Sequence, residues 1–126
     1  MDRPRRCAVV DDSRVVLDLM RVLLTQGGWE VATHSELTGL ELQLRAWAPD
    51  VVLLDVGMPG ASTETLRQRV VLLRVSTGAK IVLHSARDPE ALAQLAERSG
   101  ADAVLVKSGD HASVLAALDR IVPPRR

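Results

Sequence analysis

The sequence predicts an α/β fold, a doubly wound five-stranded parallel sheet in the order 2-1-3-4-5 with helices on both faces. Three observations lead there. Five short apolar runs alternate strictly with five stretches of helical periodicity, and such alternation, with loops of about two to six residues, marks parallel βαβ units. Four of the five runs are apolar throughout, as strands buried on both faces are. Each of those four ends in a polar or charged residue, and the C-terminal edge of an open α/β sheet is where sites form.

The first strand is expected at about Arg6 to Val10. A helix follows with Val15, Val16, Leu19, Met20, Leu23 and Leu24 on its apolar face, stopped by Gly27-Gly28. The second strand, about Trp29 to Thr33, mixes polar residues with apolar ones and belongs at an edge. Ser35 can cap a second helix carrying Leu37, Leu40, Leu44 and Trp47, closed by Pro49. Val51 to Leu54 make the third strand, which ends at Asp55. Ser62 or Thr63 caps a third helix with Leu66, Val70 and Leu73, ended near Gly78. The fourth strand is about Lys80 to Leu83. Asp88 and Pro89 then form an N-cap followed by proline in the first turn, opening a helix with Leu92, Leu95 and Ala96 inward and Gly100 as its stop. The fifth strand is about Ala103 to Val106. The last helix carries Val114, Leu115, Leu118, Ile121 and Val122 and ends at Pro123-Pro124. Right-handed crossovers leave few ways to assemble these pieces. The order 2-1-3-4-5 puts the polar second strand at an edge and opens a crevice between strands one and three.

At 126 residues the chain is expected to form one domain over residues 1–126, with a core of about 6–122 and a short tail. The 47% hydrophobic content includes no Phe and no Tyr, so the core is aliphatic. Zero formal net charge and 2% aromatic content argue against direct nucleic-acid binding. The single cysteine, Cys7, rules out an internal disulfide and falls inside an apolar strand, where it reads as a small core residue. No run approaches the roughly 18 apolar residues that span a bilayer, and the N-terminus lacks a signal-peptide pattern. A cytoplasmic protein without membrane attachment is expected.

The strand ends carry the chemistry. Asp11 and Asp12 follow Cys7-Ala8-Val9-Val10, Asp55 follows the third strand, Ser85 the fourth and Lys107 the fifth. Asp11, Asp12 and Asp55 meet in the crevice between strands one and three, and three carboxylates there repel one another unless a cation sits among them. An all-oxygen donor set suits Mg²⁺, and the lack of His or Cys in it argues against zinc. A carboxylate beside Mg²⁺ can also attack phosphorus and form an aspartyl phosphate. Such transfer needs little beyond neutralised phosphoryl oxygens; Lys107 supplies a charge and Ser85 a hydroxyl donor. Taken singly, each group has an ordinary explanation: an aspartate as helix cap, a serine as turn residue, a solvated lysine, a satisfied histidine at His84.

Together these residues resemble the receiver domain of a two-component response regulator, whose sheet is of the flavodoxin-like type. The resemblance runs from about Arg6 to Val122. It rests on Val9-Val10-Asp11-Asp12-Ser13, on Leu53-Leu54-Asp55-Val56-Gly57-Met58-Pro59-Gly60, on Ser85-Ala86, and on Gly100-Ala101-Asp102 leading to Lys107. It implies that Asp55 is the phosphoacceptor and that Mg²⁺ is held by Asp11, Asp12, Asp55 and the backbone carbonyl of Gly57. It further implies that Ser85 reorients to the phosphoryl group and that Lys107 pairs with it. The implied donor is a phosphohistidine on a sensor histidine kinase or histidine phosphotransfer protein. The implied output is a movement read by a downstream protein, or by a second copy, on the face formed by the fourth helix, fifth strand and fifth helix. The chain departs from the pattern at two places. The usual switch aromatic is Val104, so a rotamer switch of that form cannot operate. The proline usual after the lysine is Ser108, and a cis Lys107–Ser108 bond would cost about 3 kcal/mol more than trans. Both departures also motivate a second expectation, a pseudo-receiver acting as a phosphorylation-independent interaction module. A phosphatase of the haloacid dehalogenase type is a third, but it needs a second Asp where this chain has Gly57. Apart from its own phosphorylation and dephosphorylation, no enzymatic turnover is expected.

Overall fold

The computed structural model describes residues 3–58, 63–107 and 110–124. Its elements alternate as β1 (Arg6–Val10), α1 (Arg14–Gln26), β2 (Glu30–His34), α2 (Leu40–Trp47), β3 (Val51–Asp55), α3 (Thr63–Thr77), β4 (Lys80–Ser85), α4 (Pro89–Ser99), β5 (Ala103–Val106) and α5 (His111–Ile121). The strands pair in parallel in the order β2-β1-β3-β4-β5, as expected from the sequence.

Alternation along each strand divides the core in two. Ala8, Val10, Val52, Leu54, Ile81 and Leu83 face the layer of α2, α3 and α4, where Leu40, Leu44, Leu66, Val70 and Leu92 meet them. Cys7, Val9, Val51, Leu53, Val82 and Leu105 face α1 and α5 through Leu17, Met20, Leu24, Val114 and Leu118. Cys7 is fully buried, and burial pushes its thiol well above the ordinary range despite a backbone hydrogen bond at Leu53. Each fully buried Leu or Val contributes roughly 1.5–3 kcal/mol, so this aliphatic core needs no phenylalanine or tyrosine. The two tryptophans lie at the opposite end of the sheet from the polar strand ends. Arg5 stacks 4.2 Å over Trp29 and Arg6 lies 5.5 Å over Trp47. Arg5 also donates to Asp119 Oδ1 at 2.7 Å and to the Val122 carbonyl at 2.8 Å, tying the end of α5 to the start of β1.

Two expectations about helices need correction. On α1 the structure buries Leu17, Met20, Leu23 and Leu24, while Val15 is 77% and Leu19 39% exposed. The expected set spanned too wide an arc: one stripe of a helix touches the sheet, and Val15 and Leu19 fall outside it. The second helix begins at Leu40 rather than just after Ser35. Gly39 precedes it at φ 68, without a side-chain cap hydrogen bond, and Ser35 is exposed. A left-handed turn at glycine delays the helix by a turn, although Leu37 still packs against the core. Strand boundaries shift less. β2 starts one residue later, and β4 continues to Ser85. Ser62 and the side chain of Thr63, the expected caps of α3, lie outside the described residues, as does the Lys107–Ser108 bond.

Candidate functional site

The parallel register fixes which strand ends meet. Val10 pairs with Leu54 and Asp55 with His84, while Ser85 pairs with Val106. One residue further on, Lys107 N–H donates to the Ser85 carbonyl at 2.7 Å, which brings the lysine to the C-terminal edge beside β4. Strand parity then places Asp11 and Lys107 on the α1/α5 side of that edge, each following residues of that half of the core, while Asp55, at the end of β3, borders a small cavity shared with Leu66 and Arg69 of α3.

Asp11 is fully buried and Asp55 is 8% exposed; Asp12 is at the surface. Each can present one oxygen to a common point, the three lying within 4.8 Å of one another. Local hydrogen bonds aim two of them. Ser13 N–H donates to Asp11 Oδ1 at 2.9 Å and Gly57 N–H to Asp55 Oδ1 at 3.0 Å. The backbone N–H of Asp11 donates to the His34 carbonyl at 3.0 Å, holding the end of β1 against β2. Capping of α1 falls to Ser13, whose Oγ accepts from Val16 N–H at 3.3 Å. The aspartate pair is therefore not consumed as a helix cap, the ordinary explanation its position invites.

Lys107 joins the carboxylates. Its Nζ lies 2.6 Å from Asp11 Oδ2 and 3.3 Å from Asp55 Oδ1. Asp11 Oδ2 is buried and accepts no well-aligned hydrogen bond, so the lysine satisfies it by charge rather than by directed geometry. Burial by itself lowers the Lys107 pKa. The close contact with Asp11, the charges of Asp55 and Asp11 and the hydrogen bond to Asp55 outweigh it, and the net shift is upward. His84, 2% exposed, is pushed down to about 4, first by burial and then by the Lys107 charge, with Asp11 opposing. It is neutral at neutral pH and adds no charge to the crevice. Ser85 is buried at the end of β4, and its Oγ accepts from Arg87 N–H at 3.1 Å in the turn toward α4. Gly57 leaves the mouth of the crevice open: a Cβ there would sit 3.5 Å from Asp55 Oδ1.

The expected residues thus meet at one edge, with Ser85 turned toward its own loop and with the N–H of Gly57 engaged. The sequence reading missed Arg69 of α3. Together with Asp55, Leu37 and Met58 it lines a small cavity between the end of β3 and α3. Its position three residues after Leu66 and four before Leu73 was the available signal, since that spacing flanks the buried stripe.

Three carboxylate oxygens converging around a buried oxygen without an aligned donor fit a hard, oxygen-seeking divalent cation such as Mg²⁺. Asp11, Asp12 and Asp55 would hold it, and it would supply charge neutralisation for a transferring phosphoryl group.

Comparison with known proteins agrees with this arrangement. The family model described as response regulator receiver domain matches residues 7–119. The chemotaxis protein CheY of Treponema pallidum is 34% identical over 116 residues, covering 89% of this chain and 78% of that protein. The chemotaxis protein CheY of Thermotoga maritima is 26% identical over 120 residues, covering 93% and 97%. Among solved structures, the Vibrio cholerae chemotaxis protein CheY4 superposes with a TM-score of 0.79 over 95% of this chain and 100% of that one, at 24% identity, a likeness of fold.

Proposed function

Because the chain belongs to the response regulator receiver domain family of two-component systems, we propose that it is a phosphorylated switch whose phosphoacceptor is Asp55. The observation that carries this reading is the convergence of Asp11, Asp12 and Asp55 with Lys107, which contacts two of the three. The donor is a phosphohistidine on a sensor histidine kinase or histidine phosphotransfer protein. An Asp55 carboxylate oxygen attacks phosphorus, and the P–N bond breaks. The imidazole nitrogen keeps the bonding pair and stays with the donor. Asp11, Asp12 and Asp55 would hold Mg²⁺, which would supply neutralising charge for the phosphoryl oxygens. Lys107, already 3.3 Å from Asp55 Oδ1, shifts its charge onto the phosphoryl group. Ser85 gives up its role as acceptor for Arg87 N–H and turns its hydroxyl to donate to a phosphoryl oxygen, which pulls on the β4–α4 loop.

The added charge, about −1.5 to −2, drives that movement. We assign its readout to the α4, β5 and α5 face, for a downstream protein or a second copy. Val104 packs partly buried against the core on this face, so the signal passes through backbone and loop displacement rather than an aromatic rotamer. A cytoplasmic location is part of this reading; among the described residues no helix is long and apolar enough to cross a membrane. The reading includes no direct nucleic-acid contact and no turnover beyond the chain's own phosphorylation and dephosphorylation. The intact acidic crevice speaks against a pseudo-receiver, and Gly57 against a dehalogenase-type phosphatase.

The test is incubation with Mg²⁺ and acetyl phosphate, read by intact mass. Wild type is expected to gain one phosphoryl group and Asp55→Asn none. Equal gain by both proteins, or no gain by wild type, rejects the reading.

A further inference from the structure

Arg69 is half-buried on the flank of α3. Among the described residues its guanidinium forms no ion pair and no hydrogen bond. The contrast within its own helix is clear: Arg74 donates to the Gly100 carbonyl at 2.6 Å and to Asp102 Oδ2 at 2.9 Å. A partly buried guanidinium without an opposite charge is costly. The space Arg69 does line is a cavity of about 10 Å³ shared with Asp55, Leu37, Met58 and Thr65. That volume is at the lower limit for a single water, so little solvent screens one wall from the other. Asp55 is the acid on that wall, and Leu37 and Met58 make much of the rest apolar.

We propose that Arg69 is a second cation for the crevice, acting on Asp55 from the α3 side as Lys107 does from β5. Its charge offsets part of the carboxylate's charge in the resting protein and of the phosphoryl group's charge after transfer. Arg69 is a positioning residue here, since its action on the reacting atoms is through the field it sets at Asp55. The second half of the proposal rests on the reading of Asp55 as phosphoacceptor; the first half does not.

A double-mutant cycle and a rate measurement test the two halves separately. The cycle compares wild type, Arg69→Gln, Asp55→Asn and the double variant by urea unfolding at low ionic strength. Arg69→Gln is expected to lower the folding constant roughly fivefold beside Asp55 and to change it less than about twofold in the Asp55→Asn background. The rate of phosphoryl incorporation from acetyl phosphate with Mg²⁺ should fall several-fold in Arg69→Gln and recover in Arg69→Lys, a rescue that a purely packing role would not give. Absence of coupling in the cycle overturns the proposal, as does a side chain that snorkels to solvent and leaves the rate unchanged. If wild type takes up no phosphoryl group, the phosphoacceptor reading fails and the second half of the proposal fails with it. The cycle still decides the first half.

Discussion

Lys107 is the residue on which the crevice depends in its resting form, because it compensates Asp11 and Asp55 at once. Replacing it with alanine leaves two buried carboxylates facing each other, and the expected loss is about 3 kcal/mol, read as a lower urea midpoint at pH 7. The raised lysine pKa means that this stabilisation is complete below the unfolded value of about 10.4. It fades only as the pH rises through the folded value. His84 behaves in the opposite sense. With its pKa depressed to about 4 against about 6.5 unfolded, the native state binds fewer protons than the unfolded one between those values. Stability from this residue is therefore present above about pH 6.5 and lost as the pH falls through about 4. Between pH 7 and pH 4.5 wild type should lose about 2 kcal/mol that His84→Leu does not, measured as the difference between urea midpoints at the two values. The strand-end residues were legible in the sequence because an apolar run that stops at a charge marks the sheet edge. Arg69 was less so: its spacing from Leu66 and Leu73 marks the flank of the buried stripe, but the flank of an amphipathic helix has the same composition as its solvated face.

At the level of elements, the boundaries most legible in the sequence are those set by strand hydrophobicity and by cap chemistry. β1 and β5 fall at their expected residues. α4 opens as Asp88-Pro89 implies, with Asp88 Oδ2 accepting from Ala91 N–H at 3.2 Å, and it closes at Gly100 with φ 81. Asp88→Ala should cost about 1 kcal/mol, seen as a reduced urea midpoint with an unchanged denaturant slope. Asp88→Ser should restore most of the loss. The start of α2 was hidden because Ser35 has good capping chemistry, whereas the break depends on a left-handed Gly39 that composition does not reveal. The inner face of α1 was hidden for another reason: valines and leucines lie on both sides of this helix, so periodicity leaves its orientation open. Docking on the sheet selects Leu17, Met20 and Leu24. The polar character of β2 did identify it as an edge. Arg21 of α1 folds over that edge, donating to the Val31 carbonyl at 3.4 Å and to Thr33 Oγ1 at 2.9 Å, which occupies groups that an open edge offers to other chains.

Across the whole molecule, the parallel sheet gathers polar groups from four separate strands at one end, while Arg5, Arg6 and the two tryptophans fasten the other. An aliphatic core thus carries a crevice in which one lysine and three carboxylates meet, and a cation that joins them should stabilise the fold. Mg²⁺ at roughly ten times its dissociation constant is expected to raise the melting temperature by about 5 °C. Chelation should reverse the gain and Asp12→Asn should abolish most of it, as scanning calorimetry would record. Topology and the acidic cluster were legible because both follow from the order of strands and from which residues end them. The resting position of Ser85, bonded to its own loop, was not, because a hydroxyl's partner depends on the path of the turn after the strand. The most direct measurement of the central claim is chemical mapping of the phosphorylated residue. Protein treated with Mg²⁺ and acetyl phosphate is reduced with borohydride, which converts an aspartyl phosphate to homoserine, and is then sequenced by peptide mass spectrometry. Homoserine at position 55, and at no other aspartate, is the expected result. Homoserine at Asp11, Asp12 or elsewhere with Asp55 unchanged, or none at all, would contradict it.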